Sequence, residues 1–241
     1  MRSFNPPGPN ASRSYGKPGH PVQRYRWAII ALACFGIVAT VLTARAAERP
    51  VRIVVLGDSL SAGFGLAAQD ALPAKLERAL KQKGIAVTIE NAGVSGDTAA
   101  GGLARLDWSV GEGTDAVILE LGANDALRGA DPKATRAALE AIITRLKGRR
   151  IAVLLAGMLA PRNFGADYVK AFDAIYPELA VAHDLILYPF ILEGVAGDRT
   201  LNQSDGLHPT AAGVDVMVKA MLPQAEELIA RVKGRTANTG G

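Results

Sequence analysis

From residue 53 to residue 187 short apolar runs alternate with longer amphipathic stretches, and this alternation constrains the fold more than any other feature of the chain. The runs 53–56, 87–89, 116–121, 151–155 and 185–187 have the length of strands. The first, third and fourth are apolar throughout, as parallel strands covered on both faces must be, whereas half-exposed strands would alternate polar and apolar residues. Helical patterns fall between them. Leu72, Leu76 and Leu80 recur at a spacing of four before Gly84, and Leu139, Ile142, Ile143 and Leu146 share one helical face before Gly148. Tyr168, Phe172, Ile175 and Leu179 continue the pattern, with a kink predicted at Pro177. A last helix carries Val214, Met217, Val218, Met221 and Leu222, and Pro223 is expected to restart it at a first-turn position. Such a βαβ succession implies an α/β fold, a single doubly wound sandwich with a five-stranded parallel sheet flanked by helices. Ligands in such sheets bind beyond the carboxyl ends of the strands.

The leader has a different character. Residues 1–46 hold Arg2, Arg13, Lys17, Arg24, Arg26 and Arg45 and no acidic residue, so they take six of the 27 basic residues and leave 21 against 23 acidic ones in the remainder. The formal charge of +4 therefore belongs to the leader, and no nucleic-acid partner is expected. A basic stretch, an uncharged apolar run over 27–44 and the sequence Ala44-Arg45-Ala46 follow the order of a secretory signal peptide with its cleavage site. At 18 residues the run also reaches the lower limit of a membrane span, so the alternative is a retained inner-membrane anchor. Either way the folded domain is expected outside the cytoplasm, periplasmic or secreted. The expected division is a leader at 1–46, one domain at 47–233 and a flexible polar tail at 234–241. The single cysteine, Cys34, lies in the apolar run, which removes disulfides, thiol catalysis and Cys-ligated metals from the mature domain.

Three strand ends lead into polar, glycine-containing loops: Gly57-Asp58-Ser59-Leu60-Ser61, then 91–98 (NAGVSGDT), then Gly122-Ala123-Asn124-Asp125. A fourth polar element, Ser204-Asp205-Gly206-Leu207-His208-Pro209, opens the last helix. A serine hydroxyl becomes a useful nucleophile only beside a base that is itself oriented by an acceptor. His20 belongs to the leader and His183 reads as a helix-end histidine, which leaves His208, with Asp205 three residues earlier. Acyl transfer also needs donors aimed at the developing oxyanion. The N–H groups of Ser59 and Gly96 and the Asn124 side-chain amide would supply three. Taken singly, each of these motifs is also ordinary turn or helix-cap chemistry.

Together the four blocks resemble the SGNH or GDSL hydrolase family, in the family's order and across nearly the whole chain after the leader. The resemblance implies a flavodoxin-like sandwich of SGNH-hydrolase type, with Ser59 as nucleophile, Asp205 and His208 as the acid and base pair, and Ser59, Gly96 and Asn124 as the oxyanion hole. It further implies a serine hydrolase of esters or thioesters acting through an acyl-enzyme, with no cofactor and no metal. The block NAGVSGDT, the segment NFGADYVKAF and the secretion signal are similar to the bacterial periplasmic thioesterase, arylesterase and lysophospholipase branch. A carbohydrate O-acetyl esterase and a catalytically silent acyl-binding protein are the alternatives on the same fold.

Asp58, Asp97 and Asp125 read as supports of their loops. Leu127, Arg128, Leu159, Phe164 and Phe190 follow later strands and are the candidate lining of a hydrophobic groove for a small acyl ester or lipid-like substrate. A monomer is expected, soluble once the leader is removed. The segment Gly63-Phe64-Gly65-Leu66-Ala67-Ala68 fits a loose dinucleotide fingerprint, but it begins seven residues past the strand and lacks the later acidic residue that a ribose needs.

Overall fold

The computed structural model describes residues 1–4 and 49–238. The chain divides into two units, Met1–Glu48 and Arg49–Gly241, and the sheet and its helices belong to the second. The apolar run at 27–44 and the cleavage motif at 44–46 lie outside the described residues.

Five parallel strands form one sheet in the order β2-β1-β3-β4-β5. They are β1 (Val51–Gly57), β2 (Val87–Gly93), β3 (Ala116–Glu120), β4 (Ala152–Ala156) and β5 (Ile186–Tyr188). This is the flavodoxin order, whose reversal point lies between β1 and β3. Register runs Ile53 to Ala116 between β1 and β3, and Ala116 to Ala152 between β3 and β4. Every residue of β3 and β4 is buried, which explains why their sequences carry no alternation. β2, at the sheet edge, mixes buried and exposed residues and runs four residues beyond the apolar run that announced it. Glu77 accepts from Ile89 N–H at 2.6 Å and so occupies part of that open edge.

The helices form two groups. α1 (Ser59–Ala62) follows β1 directly; α2 (Leu72–Gln82) packs on β2 and on the long C-terminal helix. The second group comprises α3 (Ala99–Ala104), α4 (Leu106–Ser109), α5 (Ala123–Leu127), α6 (Pro132–Gly148), α7 (Ala166–Asp173) and α8 (Ile175–His183), gathered around α6. α2 has Pro73 in its first turn and buries Leu72, Leu76 and Leu80, each contributing about 1.5–3 kcal/mol by burial. It stops where Gly84 takes φ of 76°, with Gly84 N–H donating to Lys81 O and Ile85 N–H to Leu80 O, a Schellman closure.

The two prolines singled out in the sequence act differently from one another. Pro177 has no N–H to offer the Asp173 carbonyl, and the expected kink is a full break at Ala174 between α7 and α8. Pro223 restarts nothing. It lies inside one continuous helix, α9 (Ala211–Asn238), because Met217 and Met221 before it and Ala225 and Leu228 after it form a single buried stripe. That burial outweighs a proline cost of about 3 kcal/mol. α9 also carries helical backbone into the segment expected to be a tail. Among the described residues no helix is long and apolar enough to cross a membrane.

Candidate active site

The turn that bears Ser59 is built by steric demand. β1 ends at Gly57, where a Cβ would stand 2.2 Å from Ser61 Oγ and 2.5 Å from Glu120 Oε2, so only glycine fits. Asp58 then caps α1 by accepting from Leu60 N–H at 3.0 Å, and Ser59 becomes the first helical residue. Its N–H therefore has no partner within the helix. β2 ends against this turn: a Cβ on Gly93 would lie 2.3 Å from Ala62 N.

His208 reaches Ser59 from a position 149 residues later, with Nε2 at 2.9 Å from Ser59 Oγ. Its Nδ1 lies 2.7 Å from Asp205 Oδ2, while Asp205 Oδ1 accepts from the N–H groups of Leu207 and His208 at 2.9 and 3.0 Å. The His208 N–H, the His208 ring and the Leu207 N–H, in that order, hold the Asp205 carboxyl down at about 2. An ionised Asp205 only accepts, so Nδ1 carries the proton and Nε2 is left to accept from the serine hydroxyl. Two contacts that no sequence pattern announces support this turn. The Phe64 ring lies against the imidazole with centroids 4.5 Å apart, and Gln203 Nε2 donates to Phe64 O at 2.7 Å and to Pro209 O at 2.9 Å. The dinucleotide-like glycines Gly63 and Gly65 simply turn the chain here, with φ of 78° and 73°.

Gly96 adopts φ of 86° in the loop after β2, and its carbonyl accepts from Arg128 Nη2 at 3.0 Å. Asn124 occupies the first turn of α5. Its Nδ2 donates to Asp97 O at 2.9 Å and to Asp58 Oδ2 at 3.2 Å, so both amide hydrogens are engaged inside the protein. Asp97 accepts from Arg105 Nε at 2.6 Å, and Asp125 accepts from Ala99 N–H and Thr135 Oγ1, both as loop supports. His183 ends α8, with Nε2 3.2 Å from Glu140.

Beneath the turn lies a carboxyl that the sequence marks only as the end of a strand. Glu120 is fully buried; its Oε2 accepts from Ser61 Oγ at 2.6 Å and from Asp58 N–H at 3.2 Å, while Oε1 has no partner. Burial, and then the neighbouring Asp58, push it well above the usual carboxylate range. Burial also raises Asp58 to about 6.

A cleft of about 490 Å³ opens beside Ser59 and His208. Its walls are mainly apolar and include Leu127, Leu159 and Phe190 of the expected lining, together with Leu60, Met158, Leu192 and Leu207. Two expected residues are not part of it. Arg128 is turned back onto the Gly96 carbonyl, and Phe164 packs on Tyr168 with ring centroids 5.3 Å apart. Both follow the right strands, but on irregular loops no periodicity says which way a side chain points. Among the described residues, no group of three or more His, Cys, Asp or Glu is placed to share a metal ion.

A flavodoxin-order sheet with a serine, an imidazole and a carboxylate joined in series at its carboxyl edge has the arrangement of a serine hydrolase. Residues 55–216 match the GDSL-like Lipase/Acylhydrolase family. The chain belongs to that family. It is 36% identical over 203 residues to the esterase TesA of Pseudomonas aeruginosa, covering 84% of this chain and 99% of that one. It is 38% identical over 189 residues to the thioesterase 1/protease 1/lysophospholipase L1 of Escherichia coli K12, covering 78% and 89% respectively. The crystal structure of AlinE4, an SGNH-hydrolase family esterase, superposes with a TM-score of 0.64 at 45% identity, covering 76% of this chain and 98% of that one.

Proposed function

We propose that Ser59, His208 and Asp205 form the catalytic triad of an exported enzyme that hydrolyses acyl esters or thioesters with apolar acyl chains. The observation that carries this reading is the unbroken hydrogen-bonded series of 2.9 Å and 2.7 Å from Ser59 Oγ through the imidazole to Asp205. Ser59 Oγ attacks the substrate carbonyl while its proton passes to His208 Nε2. The tetrahedral intermediate collapses with cleavage of the C–O or C–S bond, and the leaving alkoxide or thiolate takes that proton. Water then gives a proton to His208 and attacks the acyl-enzyme, and the acid departs as Ser59 regains its hydroxyl hydrogen.

The oxyanion draws on the N–H groups of Ser59 and Gly96 and on Asn124. Of the two bonds that Asn124 makes in the free enzyme, the one to Asp58 is the longer, at 3.2 Å against 2.9 Å, and is the one that an oxyanion would replace. No step requires a cofactor. The apolar walls of the cleft favour an acyl chain over a sugar at this position, in keeping with relatives named esterase and thioesterase/lysophospholipase. Export follows from the leader sequence, with cleavage after Ala46 or retention as an anchor.

The test is hydrolysis of p-nitrophenyl esters of increasing acyl length by the wild type and Ser59→Ala. Turnover should fall by about 10⁴-fold or more in the variant, and the wild type should prefer chains longer than acetyl. Retained turnover in Ser59→Ala removes the nucleophile assignment; a strict preference for the acetyl ester removes the acyl-cleft reading.

A further inference from the structure

Three chain segments carry the proposed oxyanion donors, and one guanidinium bonds to two of them and reaches the third through Asp97. Arg105 closes α3, and its side chain is only 16% exposed. Nη2 donates to Gly57 O at 2.9 Å, two residues before Ser59. Nη1 donates to Ala92 O at 2.8 Å, near the end of β2, and to Ser109 Oγ at 2.9 Å. Nε donates to Asp97 Oδ2 at 2.6 Å. Asp97 follows Gly96 in the chain, and its carbonyl accepts the Asn124 amide at 2.9 Å.

From this geometry we infer that Arg105 is a positioning residue for the oxyanion hole, acting through Gly57, Ala92 and Asp97 on the donors of Ser59, Gly96 and Asn124. The inference rests on the oxyanion assignment proposed above. Its physical basis is the rigidity of the planar fork. Three of its N–H bonds tie the end of β1, at Gly57, to the 91–98 segment, at Ala92 and Asp97, and a fourth anchors the fork on Ser109; a lysine, a single point charge on a flexible stem, cannot satisfy them together. Because Asp97 neutralises the guanidinium at close range, the effect on the reaction is one of placement. Donors shifted by a fraction of an ångström still bind the planar ester but fit the tetrahedral oxyanion poorly.

The experiment compares Arg105→Ala and Arg105→Lys with the wild type on p-nitrophenyl butyrate, well below the Tm of each variant. The expected result is a kcat lowered roughly 10- to 100-fold with KM within about twofold. Affinity for an alkyl trifluoromethyl ketone, which forms the tetrahedral adduct, should fall in parallel, while inhibition by butyrate stays unchanged. In an Asn124→Ala background the same substitution should cost measurably less than in the wild type, since one of the three donors it places is already gone. Unchanged kcat in a folded variant, a rise in KM at constant kcat, or full additivity with Asn124→Ala overturns the inference. If Arg105→Ala does not fold, Arg105→Lys carries the test on the same terms. Ser59→Ala serves as the control: turnover surviving there overturns the nucleophile reading, a failure distinct from that of Arg105.

Discussion

Asp205 and Asp58 border the same Ser59–His208 pair and respond to their surroundings in opposite ways. Asp205 lies on an exposed turn, accepts from two backbone N–H groups and the imidazole, and is held at about 2. Asp58 also accepts hydrogen bonds, from Leu60 N–H and Asn124 Nδ2, yet burial outweighs them and lifts it to about 6. The difference shows how one site holds two carboxyls for two purposes. Asp205, which in the proposed mechanism must stay anionic beside a forming imidazolium, is kept in water and supplied with donors. Asp58, which shapes the turn of Ser59, is taken out of water, where its charge is costly.

The largest expected effect separates the two directly. In Asp205→Asn the new amide would donate towards Nδ1, force that nitrogen to accept, and move the ring proton to Nε2, which then cannot take the hydrogen of Ser59. We expect kcat to fall by about 10²- to 10⁴-fold. Asp58→Asn keeps an N-cap oxygen for Leu60 N–H but turns an amide towards Asn124, and should cost only about 10-fold. Initial rates on one ester under identical conditions decide the order. If Asp58→Asn proves the more damaging, Asp58 is the functional acid and the comparison collapses.

How far the sequence foretells this site depends on periodicity. The buried strands are legible because parallel pairing under two helical layers demands unbroken apolar runs, and 53–56, 116–121 and 151–155 supply them. Ser59, Asp205 and His208 are legible because four polar blocks stand at the ends of elements in a fixed order. Arg128 and Phe164 do not line the cleft, against expectation, since their loops carry no repeat to set side-chain direction. Pro223 departs from expectation because local backbone preference is weaker than the buried stripe that runs past it from Met217 to Leu228. Arg105 leaves one signal, as the lone charge in the run Ala99-Ala100-Gly101-Gly102-Leu103-Ala104-Arg105-Leu106, but its acceptors lie up to 48 positions away. Glu120 looks like the polar end of a strand. Only the fold shows that Ser61 and Asp58 close over it.

A smaller effect sharpens the contrast through pH. The unfolded chain titrates an aspartate near 3.8, whereas folded Asp58 titrates at about 6. Between those values the folded state binds more protons, so this residue makes stability decline as pH rises through the window, at up to about 1.4 kcal/mol per pH unit. Asp205 has the opposite sign: its contribution is present above about pH 4 and is lost as pH falls towards 2. Thermal unfolding from pH 3 to 8 should show the decline between 4 and 6 in the wild type and a flatter profile in Asp58→Asn. A decline that persists undiminished in the variant assigns it to another group and removes Asp58 from the buried, charge-averse side of the comparison.

The smallest effect concerns the carboxyl below Asp58. Glu120 Oε2 serves as acceptor for Ser61 Oγ and Asp58 N–H, and those bonds need an oxygen but no charge. Oε1 faces no donor, and the nearest acid, Asp58, further disfavours a second negative charge. Glu120→Gln keeps the accepting oxygen and the side-chain shape while removing the possibility of ionisation. At pH 4, below the ordinary glutamate value of 4.5 and further below the raised one, the two proteins should differ in unfolding free energy by less than about 1 kcal/mol. Towards pH 9 the balance should move in favour of the glutamine variant, because the unfolded glutamate ionises freely while the folded one resists. Denaturant titrations at the two pH values measure the change. A wild type that gains on the variant at high pH would mean that Glu120 is held as an anion, and that the floor of the site is organised by charge in the same way as the exposed turn of Asp205.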